Sequence, residues 1–205
     1  MAIPTPEFHT NDVEIVQRET VYKRFFAIEK LSLRHRLFEG GWSDVITREL
    51  FVRGEAVGIL LYDPALQKIA LVEQFRVGAL PTSPSSTQSP WLLEIVAGMF
   101  DGDETPEAVA NREVKEETGL EPARLIRICE YFVSPGGTSE KLYVYCALCD
   151  LTNAGGIHGL PEEGENIRLH VLSVSDVFAN LYGGRFNNAA SLIALQWLQA
   201  HIHTL

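Results

Sequence analysis

The chain is short of cysteine, of positive charge and of long apolar runs, and each shortage removes a class of function. Its three cysteines, Cys129, Cys146 and Cys149, are an odd number and suggest no disulfide framework. Cys146-Ala-Leu-Cys149 is a lone CxxC inside a stretch, 142–149, that reads as a buried strand. Residues three apart on a strand point to opposite faces, so structural thiols are expected rather than a zinc or redox site. Seventeen Lys and Arg against 27 Asp and Glu leave a net charge of −10, which argues against nucleic acid or an anionic membrane as a partner. No run approaches the ~20 apolar residues of a bilayer span. Residues 1–10 carry Pro4, Pro6 and Glu7 in place of an apolar signal core. A soluble, cytoplasmic protein without internal repeats is expected.

What is present is enough sequence for one domain of ordinary size or two small ones: 205 residues, 46% of them hydrophobic. Residues 13–53 are rich in β-branched and aromatic side chains and predict two or three antiparallel strands, with a turn at Glu39-Gly40-Gly41. So small a sheet cannot bury both faces alone and should pack on the rest of the chain or on another subunit. Arg53-Gly54-Glu55 divides an N-terminal domain, 1–53, from a second domain, 54–205. The second domain predicts strands over 56–62, 68–76 and 91–96, then near 124–133, 140–149 and 166–173, with helices over 175–181 and 189–201. A Pro/Ser-rich loop, 81–90, has little to bury and is expected to be mobile. The last helix is apolar nearly all round, which indicates packing. Strands mixed with helices on their faces make an α/β sandwich.

Between the strands lies Gly98-Met-Phe-Asp-Gly-Asp-Glu104, seven further residues, and then Arg112-Glu113-Val114-Lys115-Glu116-Glu117-Thr118-Gly119-Leu120. A glycine turn precedes a helix bounded by Thr105 as N-cap, Pro106 at the first helical position and Gly119 just past the end. Glu113 and Glu117 lie one turn apart with Glu116 beside them, an acidic face on which like charges repel. Arg112 reaches Glu116 as an i,i+4 pair and is expected to fix that one carboxylate. The remaining charge suits a hard divalent cation such as Mg²⁺, with Glu113 and Glu117 as ligands. The Gly98 turn brings the Ala97 carbonyl to the same ion.

These residues match every fixed position of the Nudix box, G-x5-E-x7-R-E-U-x-E-E-x-G-U, with Val114 and Leu120 as the bulky aliphatics. At ordinary residue frequencies an accidental match occurs on the order of once in 10⁸ windows. The chain therefore resembles the Nudix hydrolases, whose α/β/α sandwich with a mixed sheet is the fold expected, with the small N-terminal sheet added. Ser134-Pro135-Gly136-Gly137-Thr138-Ser139-Glu140 places a proline sixteen residues after Gly119, which is similar to the ADP-ribose pyrophosphatase branch of that family. Val72-Glu73-Gln74-Phe75-Arg76 and Trp91-Leu-Leu-Glu94-Ile-Val-Ala97-Gly98 are typical of the same branch.

The resemblance implies hydrolysis of ADP-ribose to AMP and ribose 5-phosphate with two or three Mg²⁺ per site, Mn²⁺ being able to substitute. It implies metal ligation by the Ala97 carbonyl, Glu113 and Glu117, with Glu165 as an outer ligand. It also implies a general base on the loop Gly159-Leu-Pro-Glu162-Glu163-Gly164-Glu165, where spacing back from Ile167-Arg168 selects Glu163. For the substrate it implies Arg53 and Arg76 on the phosphates or terminal ribose, Phe25 and Phe26 flanking adenine, and Met99, Ser134, Gly136 and Glu140 lining the rest. Arg48 would reach in from the partner chain of a homodimer with exchanged N-terminal sheets. On residue pattern alone, two adjacent phenylalanines in a strand are more often core on one face and a dimer contact on the other, and the 159–165 loop reads as solvated acid. The 81–90 loop is longer than the branch usually carries, and the segment before Asn11 has no counterpart. Hydrolysis of another nucleoside diphosphate sugar or dinucleotide is the second reading. A regulator that binds ADP-ribose without cutting it is the third, disfavoured because every carboxylate of the box is retained.

Overall fold

In this computed structural model residues 3–83 and 86–205 are described. Pro84 and Ser85, within the Pro/Ser-rich loop, lie outside the described residues, and the expectation of mobility falls partly on them. The chain divides into two units: Met1–Gly54 together with Phe132–Glu140, and Glu55–Tyr131 together with Lys141–Leu205.

The first unit is built on an antiparallel sheet in the order β1 (Val13–Lys23), β2 (Ala27–His35), β3 (Ile46–Val52). Gly40 and Gly41, at φ 94° and 79°, take the left-handed backbone that turns β2 towards β3. All of β1 is exposed, and Leu31 is the one buried hydrophobic residue of this sheet. A three-stranded sheet with two open faces has no core of its own to speak of. Segment 132–140 is stitched to β3 by backbone bonds from Phe51 to the Gly137 carbonyl and from Ser139 to the Phe51 carbonyl. Ser139 Oγ adds two more, accepting from the Arg53 N–H and donating to the Arg53 carbonyl.

In the second unit, one mixed sheet carries both cores. Its strands are β4 (Glu55–Asp63), β5 (Lys68–Phe75), β6 (Trp91–Glu94), β7 (Val96–Met99), β8 (Arg124–Phe132), β9 (Lys141–Leu148), β10 (Gly156–His158) and β11 (Ile167–Ser173). They lie in the order β10-β11-β5-β4-β9-β8, with β6 on β5 and β7 on β4. β4 and β9 are parallel, whereas β4 is antiparallel to both β5 and β7. β4 and β5 are apolar without alternation because both of their faces are covered. Val57, Ile59 and Leu61 pack with Val109, Ala110 and Val114 of helix α1 (Pro106–Thr118). Leu60 and Tyr62 pack on the other face with Val174 and Val177 of α2 (Val174–Ala179) and Ala194, Leu195 and Leu198 of α3 (Ala189–His201). Helices on both faces of a mixed sheet make the α/β/α sandwich.

Some expectations are corrected. The strand expected over 91–96 is two strands broken at Ile95, whose N–H leaves the ladder to donate to Ser191 Oγ at 3.0 Å. β10 was not expected, since three residues are too few to display a period. Phe25 and Phe26 lie in the bend between β1 and β2 and not in a strand. Cys146 and Cys149 do point into opposite cores, where burial pushes their thiols up to about 12 and about 11. Neither ionises near neutrality, so both stay inert. Among the described residues no helix is long and apolar enough to cross a membrane.

Candidate functional site

Helix α1 begins and ends where its residues direct. Thr105 Oγ1 accepts from the Ala108 N–H at 3.2 Å, Pro106 occupies the first position, and Gly119 leaves the helix at φ 71°. The apolar stripe that seats the helix on the sheet runs through Val109, Ala110 and Val114, and it continues into Glu113 and Glu117. Those two carboxylates are therefore turned towards the sheet, 9% and 2% exposed, while Glu116 stays half-buried and Lys115 pairs outward with Glu121.

Under this face lie Ala97 and Gly98 of β7. Gly98 is a strand residue with no left-handed backbone, which corrects the expectation of a turn there; the turn glycine is Gly102, at φ 62°. What Gly98 supplies is the absence of a side chain. A Cβ at that position would overlap Cγ, Cδ and Oε1 of Glu113.

Burial holds the carboxyl of Glu117 up to about 8, helped by the neighbouring Glu113 and Glu165 charges and opposed by Arg76 and a backbone bond from Ala97. Its Oε2 is buried with no hydrogen-bond partner. Glu113 is raised as well, by burial first; Arg112 works against the rise, while Glu116 and Glu165 add to it. Two buried acids, of which Glu113 alone has a guanidinium partner, are residues that could hold a hard cation.

Arg112 does more than the i,i+4 spacing indicates. Nη1 donates to Glu113 at 2.5 Å and to Glu116 at 3.2 Å. Nη2 donates to Glu104 at 3.0 Å and to the Met99 carbonyl at 2.9 Å, and Nε also reaches Glu104, at 3.1 Å. One guanidinium thus orients three carboxylates and a strand, and of the three acids Glu113, Glu116 and Glu117 it leaves Glu117 alone. Glu104 was not among the candidate site residues, although its fixed place in the box marks it.

The acidic loop enters from β10. Gly159 and Gly164, at φ 99° and 75°, bracket a short 3-10 turn over Pro161–Glu163. Glu165 Oε2 accepts from the Leu160 N–H at 3.1 Å, and its charge reaches both Glu113 and Glu117. Glu162 and Glu163 are exposed. Arg76, at the end of β5, gives its Nε to Glu94 Oε2 at 2.6 Å. Glu94 is a second residue outside the candidate set, with no signal in one sequence beyond its place in the 91–98 stretch.

The remaining candidates belong to the first unit. Arg53 pairs with Glu140 at 2.9 Å and lies over the ring of Phe26 at 4.7 Å, leaving its buried Nε without a partner. Phe26 meets Phe51 edge-on at 5.0 Å, and Phe25, 85% exposed, meets Phe26 at 4.7 Å. Arg48 lies exposed on β3, with Nη1 on the Thr47 carbonyl. The Ser134 carbonyl closes the turn around Gly136 by accepting from Gly137 and Thr138. These residues gather as the cluster Phe25-Phe26-Phe51-Arg53-Glu140.

Residues 52–194 match the NUDIX domain. The chain is 46% identical over 198 residues to the ADP-ribose pyrophosphatase of Escherichia coli (strain K12), covering 97% of this chain and 93% of that protein. It is 33% identical over 193 residues to the GDP-mannose pyrophosphatase of Yersinia pestis (strain Pestoides F), with 92% of each covered. Its fold is similar to that in the crystal structure of an ADP compounds hydrolase, with a TM-score of 0.69 and 24% identity over 94% of this chain and 95% of that one.

Proposed function

The chain belongs to the Nudix family, and we propose that it hydrolyses the diphosphate of ADP-ribose to AMP and ribose 5-phosphate with the help of divalent metal. The observation that carries this reading is the buried pair Glu113 and Glu117 above Gly98, in which Arg112 meets Glu113 while Glu117 Oε2 has no hydrogen-bond partner. The 46% identity to a protein named for ADP-ribose, against 33% to one named for GDP-mannose, favours the first substrate. The second similarity supports another nucleoside diphosphate sugar as the alternative.

Mg²⁺, two or three ions per site, is the metal proposed, with Mn²⁺ able to substitute. Glu113, Glu117, the Ala97 carbonyl and Glu165 would hold it, an all-oxygen set that fits a hard cation. Among the described residues no three acidic, histidine or cysteine side chains stand close enough to hold an ion by themselves. Two carboxylates with a carbonyl, waters and substrate phosphate oxygens meet the needs of Mg²⁺ without such a cage. When bound, the cation offsets the charge of the diphosphate and makes water a better nucleophile at neutral pH.

In this reading the chain's own residues do the rest. Glu163, on its glycine-bracketed turn, takes the proton from the attacking water. Arg112 keeps Glu113 and Glu116 in their positions. Arg76 directs its Nη nitrogens, which have no partner among the described residues, to the phosphates, and Arg53 with Glu140 binds the ribose or phosphate at the far end. Phe25 and Phe26 flank the adenine, Met99, Ser134 and Gly136 line the remaining site, and Arg48 acts from the partner subunit of a homodimer with exchanged N-terminal sheets. The protein works in the cytoplasm.

The reading is tested with ADP-ribose, other nucleotide sugars and diadenosine polyphosphates incubated with Mg²⁺ in ¹⁸O-labelled water, scoring products and label position. Absence of hydrolysis across the panel would remove the enzyme reading. Glu163→Gln is expected to lower kcat by ~10²-fold or more with little change in binding, the scale of a lost general base; near-normal turnover would transfer that role elsewhere. Arg48→Ala is expected to raise KM for ADP-ribose, and an unchanged KM would take Arg48 out of the site.

A further inference from the structure

Glu94 occupies an unusually well-fixed point of the sheet. On its N-terminal side the Leu93 carbonyl accepts from Asn188 Nδ2 at 3.2 Å, and on its C-terminal side the Ile95 N–H donates to Ser191 Oγ at 3.0 Å. Asn188 is also the N-cap of α3, its Oδ1 accepting from the Ser191 N–H at 3.0 Å. Ser191 is fully buried. The first turn of α3, on one face of the sheet, thus holds the backbone on both sides of Glu94 where β6 breaks from β7. Because Glu94 is the register partner of Val72, whose side chain packs in the core under α1, the Glu94 side chain emerges on the opposite face from α3, the face of the acidic site.

There it meets Arg76, which shares that face with Val72 by strand alternation. The Glu94 carboxylate is 14% exposed and the Arg76 side chain 41%, so the acid is the sheltered, immobile partner and the guanidinium the reaching one. The bond is made to Nε, at 2.6 Å. A guanidinium held at Nε keeps both Nη nitrogens for something else, in a plane set by the acid. The charge of Arg76 also acts on Glu117, opposing the rise of its carboxyl.

We propose that Glu94 is the positioning residue of Arg76, fixed from across the sheet by Asn188 and Ser191, and that it presents the two Nη nitrogens to the diphosphate of the substrate. This rests on the reading of the chain as a hydrolase of a nucleoside diphosphate sugar. A half-exposed ion pair kept only for stability would contribute little and would leave substrate binding unchanged. A positioning pair instead acts on substrate affinity, and acts only through its arginine.

The experiment is a double-mutant cycle on the Mg²⁺-loaded enzyme with ADP-ribose, using the isosteric Glu94→Gln, Glu94→Ala and Arg76→Ala, with thermal melts to establish that each variant is folded. Glu94→Ala is expected to raise KM about tenfold, the scale of one lost hydrogen bond to a charged group, with kcat within threefold of the wild type. Glu94→Gln should fall between, because it keeps an acceptor but not the charge. In the Arg76→Ala background neither change should raise KM further. Unchanged KM in the Glu94 variants while Arg76→Ala raises it would overturn the positioning role alone, as would effects that add in the double variants. Wild-type inactivity on every nucleotide sugar would overturn the parent reading and this one with it.

Discussion

Glu117→Gln is expected to lower kcat on ADP-ribose by ~10³-fold or more, the loss that several kcal/mol of metal-assisted charge stabilisation represents. The same variant is expected to be more stable than the wild type when metal is absent and the pH is 8. The two effects have one cause. Burial raises the Glu117 carboxyl to about 8 from the ordinary 4.5. Between those values the folded protein holds a proton that the unfolded chain has released, so this group's contribution to stability is full below pH 4.5 and is lost as pH rises through 8. The loss is on the order of a few kcal/mol. Glutamine keeps the shape and has no proton to lose, so the difference in urea stability between variant and wild type, both metal-free, should widen from pH 5 to pH 8. Saturating Mg²⁺ should restore the wild type but not the variant, since only a bound ion can stabilise the folded state by mass action. A pH-independent difference would show that Glu117 carries no buried charge, and retained turnover would show that it holds no metal.

Gly98→Ala is expected to reduce kcat/KM by ~10³-fold, as much as removal of Glu113 itself, because the Glu113 carboxyl must leave its place altogether to admit the new methyl group. The overlap involves three atoms of that side chain, so a small adjustment does not relieve it. Arg112 would be freed from one of its acids in the same step. Overpacking of this kind costs ~1–3 kcal/mol, which leaves the fold standing. A variant with an unchanged circular dichroism spectrum, a modestly lower melting temperature and almost no activity is the outcome expected. Activity within tenfold of the wild type would mean that the position of Glu113 is unimportant.

These two residues also show where reading the sequence succeeds and where it stops. The bounds of α1 were legible because Thr105, Pro106 and Gly119 each carry a local requirement that no distant contact alters. Most strands of both sheets were legible from their apolar runs to within a few residues, β10 and the break between β6 and β7 excepted. Gly98 was misread because a glycine before a helix resembles a turn, whereas its actual requirement is space for a side chain fifteen positions away in the chain. The reach of Arg112 to Glu104 and Met99, and the bond from Arg76 to Glu94, join segments whose proximity only the sheet creates. Phe25 and Phe26 were read as strand because the apolar run continues through them, but two adjacent aromatics break the alternation that a strand needs. The inward direction of Glu113 and Glu117 was available in principle, since Val109, Ala110 and Val114 lie on the same stripe. Reading them as an acidic face fixed their chemistry but not their burial.

The parallel pairing of β4 with β9 has a consequence for how the molecule comes into being. Glu55 is the register partner of Lys141 and Tyr62 that of Leu148, so the middle of the large sheet joins strands 86 residues apart in the sequence, with α1 between them. Helix α1 precedes β9 in the chain, so it leaves the ribosome before Tyr145 and Ala147, which share its core. Non-local pairing of this kind is slow, because the chain must close a large loop before any contact rewards it. The apolar core on the α1 side of the sheet is complete only when β9 has paired with β4.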